Sequence, residues 1–212
     1  MKMNFDYNFK PIELTEIKGS PIYVVDNIYK DPQSIVEFIL KTPKNIHKGN
    51  EHPSYNMVHF RDERHCLYFE QLNSLIGDIE KFTNTKFKNF NTNGNFFTNC
   101  QMWYDNSFNN HDDNYWWPHI DYGITSMVYL NHDNSGTNLY ESSLDLENQK
   151  KTKEHLEPWR PKNLWKKLYT IEASFNRLVI FDGGKLFHGV DINSSKYIND
   201  YRINQVMFFE EK

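Results

Sequence analysis

The sequence predicts a mainly β fold with flanking helices, its β part an antiparallel barrel or jelly roll, and three observations lead there. From about residue 96 onward, short runs rich in Val, Ile, Tyr and Phe alternate with turn-forming residues. Upstream, two stretches space their apolar residues at helical intervals. Aromatic residues make up 16% of the chain against a hydrophobic share of 38%, and such large side chains bury much area per residue, so a core can still form. At 212 residues the chain suits a single domain over 1–212, with an N-terminal strand and helices over about 20–90 and a β core over about 96–210.

In chain order, PIYVVDNIY (21–29) reads as a buried strand, after which Asp31 caps a helix that opens at Pro32, DPQSIVEFILKT. Residues 44–57 are polar and carry Gly and Pro, which marks a loop. EQLNSLIGDIEKFTN (70–84) gives a second helix. Turn-rich NFNTNGN then leads into a strand, FFTNCQMWY (96–104), followed by a loop dense in Asn and Asp that runs to Trp117. Further strands are expected at 123–131, 137–142, 167–173, 177–183, 187–192 and 201–210. Residues 143–166, with charge and two prolines, interrupt the rhythm as an insertion between core strands.

Composition narrows the function. A formal net charge of −4 and the absence of a Lys/Arg block leave no electrostatic footprint for duplex nucleic acid. The start MKMNFDYNFK has no apolar leader, and no run approaches the roughly 18 apolar residues of a membrane span. A cytoplasmic protein without a membrane partner is the expectation. The two cysteines, Cys66 and Cys100, lack the spacing of a redox or zinc motif and are expected reduced and packed. Asn fills about one position in eight, which AT-rich bacterial or viral codons would explain.

The chemistry-bearing residues are metal ligands. In WWPHIDYG, His119 and Asp121 stand two apart, so on a strand both side chains leave the same face and can chelate one cation. Nine histidines with Asp at about one position in fifteen give roughly 0.6 chance matches to such a pair. A second pair, His111 and Asp113, does occur, in a hydrophilic stretch without an adjacent strand. The choice of His119 therefore depends on a third ligand. In RLVIFDGGKLFHGV a hydrophobic strand, a Gly-Gly turn and then His188 on an apolar background put an imidazole where burial demands a partner, a metal or, for a plain core histidine, a backbone hydrogen bond. Downstream, YRINQVMFF sets Arg202 and Asn204 on one strand face continued by Val206 and Phe208. An inward guanidinium there calls for an anion, and a ligand carboxylate held by its fork of donors would supply one. A protein salt bridge or a surface position at the strand end is the alternative.

Two His and one carboxylate with an Arg anchor resemble the Fe(II)- and 2-oxoglutarate-dependent oxygenase superfamily. SMVYLNHDNSGTNLY looks like the strand, turn and strand after that family's HxD pair, RLVIFDGGKLFHGV is similar to the strand with its distal His, and IYVVDNIYKDPQSIVEFI looks like the elements preceding the barrel in prolyl-4-hydroxylase-like members. The likeness is good over about 96–209 and loose before. Ser135-Gly136 stands at the usual acidic or second-Gly position, and Arg202 follows His188 by fourteen residues, both variations that bear on the subfamily.

The resemblance implies a double-stranded β-helix of jelly-roll, cupin-like type. It also implies Fe(II) on His119, Asp121 and His188, with 2-oxoglutarate as co-substrate chelating the iron while Arg202 pairs with its C5 carboxylate. Tyr129 in VYLN and Tyr104 in QMWY match further co-substrate contacts, each with the plain alternative of a core tyrosine. Asn204 shares the Arg202 face and would touch substrate or brace the Arg. The implied activity is hydroxylation of a C–H bond in a small-molecule or peptide substrate, a protein side chain or amino acid slightly favoured. Asp121 fills the position a halide would need, which argues against a halogenase. Trp116 and Trp117, at one lip of the expected cleft, would stack on substrate or simply pack the loop. Two other readings stay open: a cupin-like module that binds metal or ligand without catalysis, and a metal-dependent hydrolase or lyase using the same ligands.

Overall fold

A computed structural model describes residues 4–41, 45–46, 60–65, 70–87, 97–103, 112–132, 135–142, 159–192 and 202–211, which form fourteen strands and two helices, both helices in the N-terminal part. The chain opens with an antiparallel hairpin, β1 (Ile12–Ile17) and β2 (Ser20–Val25). Helix α1 (Pro32–Lys41) starts as its sequence dictates. Pro32 supplies the preset φ of a first helical residue, and the Asp31 carboxylate accepts the Ser34 N–H at 3.2 Å. Short β3 (Asn45–Ile46) and β4 (Phe60–His65) lead through a 3-10 turn at Glu70–Leu72 to α2 (Asn73–Thr83). Asn84, in the left-handed region at φ 54°, ends that helix by donating its N–H to the Glu80 carbonyl.

Apart from a 3-10 turn at Lys162–Leu164, the remaining elements are strands: β5 (Thr85–Phe87), β6 (Phe97–Trp103), β7 (Asn114–Trp116), β8 (Ile124–Tyr129), β9 (Thr137–Ser142), β10 (Trp159–Pro161), β11 (Trp165–Ile171), β12 (Arg177–Asp182), β13 (Phe187–Val190) and β14 (Arg202–Glu211). All described pairings are antiparallel. The large sheet runs β1-β2-β12-β8-β14-β6-β4-β3, with β5 on the far half of β14. A small sheet runs β11-β9-β13, and β7 with β10 forms a separate ribbon.

Strand alternation gives the part of the large sheet made by β2, β12, β8 and β14 two buried faces. On one, Val25, Val128, Leu130, Leu178, Ile180, Ile203, Met207 and Phe209 pack against Ile35, Val36 and Ile39 of α1 and Leu75, Ile76 and Ile79 of α2. Each such aliphatic contributes about 1.5–3 kcal/mol of transfer free energy. On the other, Ile22, Val24, Met127, Tyr129, Val179, Phe181 and Val206 meet Leu139 and Ile171 of the small sheet and Leu186. The protein is thus a layered structure, helices on sheet on sheet, and the space between the two sheets receives every second residue of β8, β12 and β14.

Several expectations shift at this level. The first predicted strand stops at Val25 rather than Tyr29, because Asp26 and Asn27 turn the chain and Asn27 takes φ 54°. The hairpin partner IELTEI (12–17) was not foreseen; half-exposed, it has too few apolar residues to stand out. The loop expected to reach Trp117 contains β7, and the insertion expected over 143–166 contributes β10 and the first residues of β11. In both cases cross-strand pairing, Trp159 opposite Trp116 and Trp165 opposite Ser142, outweighs local polarity. The predicted loop at 44–57 includes β3, while the rest of it, like most of the insertion and Cys66, lies outside the described residues.

Candidate metal centre

His119 and His188 come together through the backbone. Each donates its N–H to the other's carbonyl, at 3.0 and 2.8 Å, an isolated antiparallel bridge between the segment after β7 and strand β13. Their rings lie 4.4 Å apart between centroids. Residues 119–121 form no strand beyond this bridge, so the pair's shared direction comes from a second tether: the Asp121 N–H donates to the Gly183 carbonyl at 2.8 Å. One ring nitrogen or carboxylate oxygen from each of His119, Asp121 and His188 falls in a group whose members all lie within 4.8 Å of one another.

Both histidines are oriented from behind. The His119 Nδ1 is 2.7 Å from the Trp117 carbonyl and the His188 Nδ1 is 2.9 Å from the Leu186 carbonyl. A carbonyl can only accept, so each Nδ1 carries the proton, and in a neutral ring each Nε2 presents a lone pair. His188 Nε2 stands 3.1 Å from Asp121 Oδ2, and His119 Nε2 stands 3.8 Å from Asp121 Oδ1. Lone pairs and a carboxylate converging this closely need positive charge among them, either a proton on Nε2 or a shared metal ion. Backbone-tethered histidines are the usual arrangement around a metal. Burial alone would push the Asp121 carboxyl up, but the His188 charge and hydrogen bond, the His119 charge and the Thr125 hydroxyl outweigh it and hold it well below the usual carboxylate range.

Trp117 gives the site its most unusual backbone, a bulky residue at φ 45°. Such a conformation costs on the order of 1–3 kcal/mol, and here it aims the carbonyl at His119. Gly189 makes room for it, since a methyl group there would sit 2.5 Å from the Trp116 carbonyl and 3.1 Å from that of Trp117. Gly189→Ala is therefore expected to destabilise the fold by about 1–3 kcal/mol and to weaken metal binding by displacing His119. Urea denaturation with Mn(II) titration checks both, and an unchanged metal affinity would show that the bridge tolerates the methyl.

Arg202, Asn204 and Tyr129 gather between the sheets. Asn204 pairs with Tyr129 across β14 and β8, and the Arg202 Cζ lies 6.0 Å from the Tyr129 ring centre. Arg202 is 2% exposed and Asn204 4%. The guanidinium donates to the Ser135 carbonyl from Nε and Nη2, at 3.3 and 3.1 Å, and to the Gly136 carbonyl at 3.3 Å. The Asn204 amide oxygen accepts from Arg202 Nη1. Tyr129, its phenol pushed up by burial, shares a 2.8 Å hydrogen bond with Thr137. In the candidate metal group His119 and Asp121 are more open, 31% and 18% exposed, whereas His188 is buried.

Of the remaining candidates, Trp116 is buried and its ring meets that of partly exposed Trp117 edge-on at 6.0 Å. Tyr104 and His111 lie outside the described residues. Asp113 is exposed at the start of β7, and its carbonyl accepts from Lys162.

Sequence reasoning missed the supporting shell. Thr125 donates to Asp121 Oδ2 at 2.7 Å, and the carbonyls of Trp117, Leu186 and Gly183 fix the ligands. Backbone groups leave no trace in residue identity, whereas Thr125, four residues before Tyr129 and so on the same strand face, could have been marked by that spacing. No protein-family model and no curated protein matches the sequence.

Proposed function

We propose that the protein is an Fe(II)- and 2-oxoglutarate-dependent dioxygenase that hydroxylates a C–H bond, its two facing sheets forming a double-stranded β-helix. The main support is the convergence of His119 Nε2, His188 Nε2 and the Asp121 carboxylate, each imidazole anchored at Nδ1 by a backbone carbonyl. Two imidazoles and one carboxylate suit Fe(II) with further positions open. The buried Arg202, on the inter-sheet face of β14, adds a fixed positive charge for a second carboxylate of the co-substrate.

Iron supplies the oxygen chemistry when bound. The chain's own residues would hold it and orient what it meets: His119, Asp121 and His188 would bind the ion, Arg202 and Tyr129 would receive the distal carboxylate of 2-oxoglutarate, and Asn204 would brace the guanidinium. In the balanced reaction 2-oxoglutarate and dioxygen become succinate and carbon dioxide. One oxygen atom enters the new succinate carboxylate and the other the substrate hydroxyl. A small molecule or a peptide side chain is the substrate class proposed.

Aerobic incubation with Fe(II), ascorbate and 2-oxoglutarate is expected to release succinate, and His119→Ala or exclusion of oxygen is expected to stop it. Metal binding without succinate release would instead assign a ligand-binding module. A reaction that persists without oxygen would assign a hydrolase or lyase.

A further inference from the structure

On the helix side of the large sheet the chain leaves a cavity of about 740 Å³ between its N-terminal segment, the turn after β2 and the turn between β11 and β12. The metal group belongs to the other face, where His188 packs on Phe181 between the sheets. The size is that of a site for a small organic molecule, roughly 300–1,000 Å³. Its wall is rigid. Buried Asn176, at φ 63°, accepts the Tyr29 N–H on Oδ1 at 3.0 Å and donates from Nδ2 to the Tyr29 carbonyl at 2.8 Å, so a side-chain amide stands in for a strand partner. Its own N–H donates to the Tyr129 carbonyl, and its carbonyl accepts the Ile28 N–H. A recess held this firmly needs little ordering when a ligand enters it.

The lining combines three kinds of group. Phe175, stacked on His132 with ring centroids 3.9 Å apart at 25°, is an aromatic platform. Asn8 and Asn27 bring exposed primary amides. Lys30 is the only charged residue among the described residues of the lining, and its ammonium lies 3.8 Å from exposed Asp6, a contact weak enough for an anion to displace. From these groups we propose a binding site for a purine nucleoside monophosphate. The flat base stacks on Phe175. The amides of Asn8 and Asn27 read its edge, as a primary amide pairs with the amino and ring nitrogens of adenine. Lys30 pairs with the phosphate. Asn27 is placed for this by its backbone, since at φ 54° it holds a turn that Asn and Gly tolerate.

The test titrates the full, metal-free chain with AMP, adenosine and inorganic phosphate in a calorimeter. AMP is expected to bind saturably, one per chain, and adenosine about tenfold more weakly for want of one charge-assisted contact. Inorganic phosphate, with no ring to stack, is expected to bind at least about 100-fold more weakly than AMP. Lys30→Ala should bind AMP and adenosine alike. Asn27→Gly, which keeps the positive φ, should weaken both by about tenfold. Both positions are exposed, so neither change threatens the fold. His119→Ala should bind AMP as the wild type does. Absence of saturable AMP binding would overturn the site, and so would AMP affinity unchanged in both Lys30→Ala and Asn27→Gly. Loss of AMP binding in His119→Ala would overturn it too, by moving the nucleotide to the metal centre.

Discussion

Replacing His188 with alanine is expected to lower divalent-metal affinity by more than about 100-fold, since even partners one step removed from a metal are commonly worth 10–100-fold. His188 is buried, pinned at Nδ1 by the Leu186 carbonyl and packed edge-on against Phe181 at 5.0 Å, so its loss opens a small cavity and costs about 1–3 kcal/mol even without metal. The two effects separate by linkage. At a Mn(II) concentration 100 times the dissociation constant, wild-type protein should gain about 2.7 kcal/mol, or about 5–11 °C in Tm for a domain of this size; His188→Ala should gain almost nothing. Binding should also weaken as pH falls, because protons compete with the ion for the imidazole Nε2 atoms. Thermal melts with and without Mn(II) across pH 5.5–8 provide the measurement. Equal metal-induced shifts in wild type and variant would remove His188 from the centre.

How far the sequence foretold this structure depends on what decides each element. Thr137–Ser142 emerged with the predicted bounds, and Arg177–Asp182 and Arg202–Glu211 came within a residue of them, because their β-branched and aromatic residues fit a sheet buried on both faces. Helix α1 was legible from its cap alone, Asp31 before Pro32. Of the strands that escaped, Asn114–Trp116 and Trp159–Pro161 owe their conformation to a partner far along the chain, which no local pattern records, while Ile12–Ile17, paired in a hairpin with Ser20–Val25, is too exposed to show an apolar strand pattern. The same division holds at the site. His119, Asp121 and His188 were readable as residue types in context, and the structure brings them together. What makes them a unit was not readable: the reciprocal bonds between the His119 and His188 backbones, the left-handed turn at Trp117, and the space left by Gly183 and Gly189. Glycines are conspicuous in FDGGKLFHGV, yet their purpose is close approach by another chain segment, and sequence alone does not say which.

Arg202 offers the sharpest separation of ion from co-substrate. Its known acceptors at Ser135, Gly136 and Asn204 are neutral, and a guanidinium kept this deep is an expensive group whose removal leaves carbonyls without donors, at a cost of about 3–5 kcal/mol. Arg202→Gln, which restores part of that hydrogen bonding, is therefore the better probe than alanine. The expected outcome is a loss of about 100-fold in 2-oxoglutarate affinity, or about 2.7 kcal/mol, the range for one or two charge-assisted hydrogen bonds, with Mn(II) affinity unchanged within about threefold. Because a repacked site could produce the same loss, the comparison should include 2-oxopentanoate, in which a methyl replaces the distal carboxylate. Wild-type protein should prefer 2-oxoglutarate by about 100-fold, and Arg202→Gln should bind the two acids almost equally, the coupling that a pairwise cycle isolates. Titration onto the Mn(II)-loaded protein measures all four values. If the substitution weakens both acids by the same factor, Arg202 supports the fold between the sheets and some other group reads the distal carboxylate.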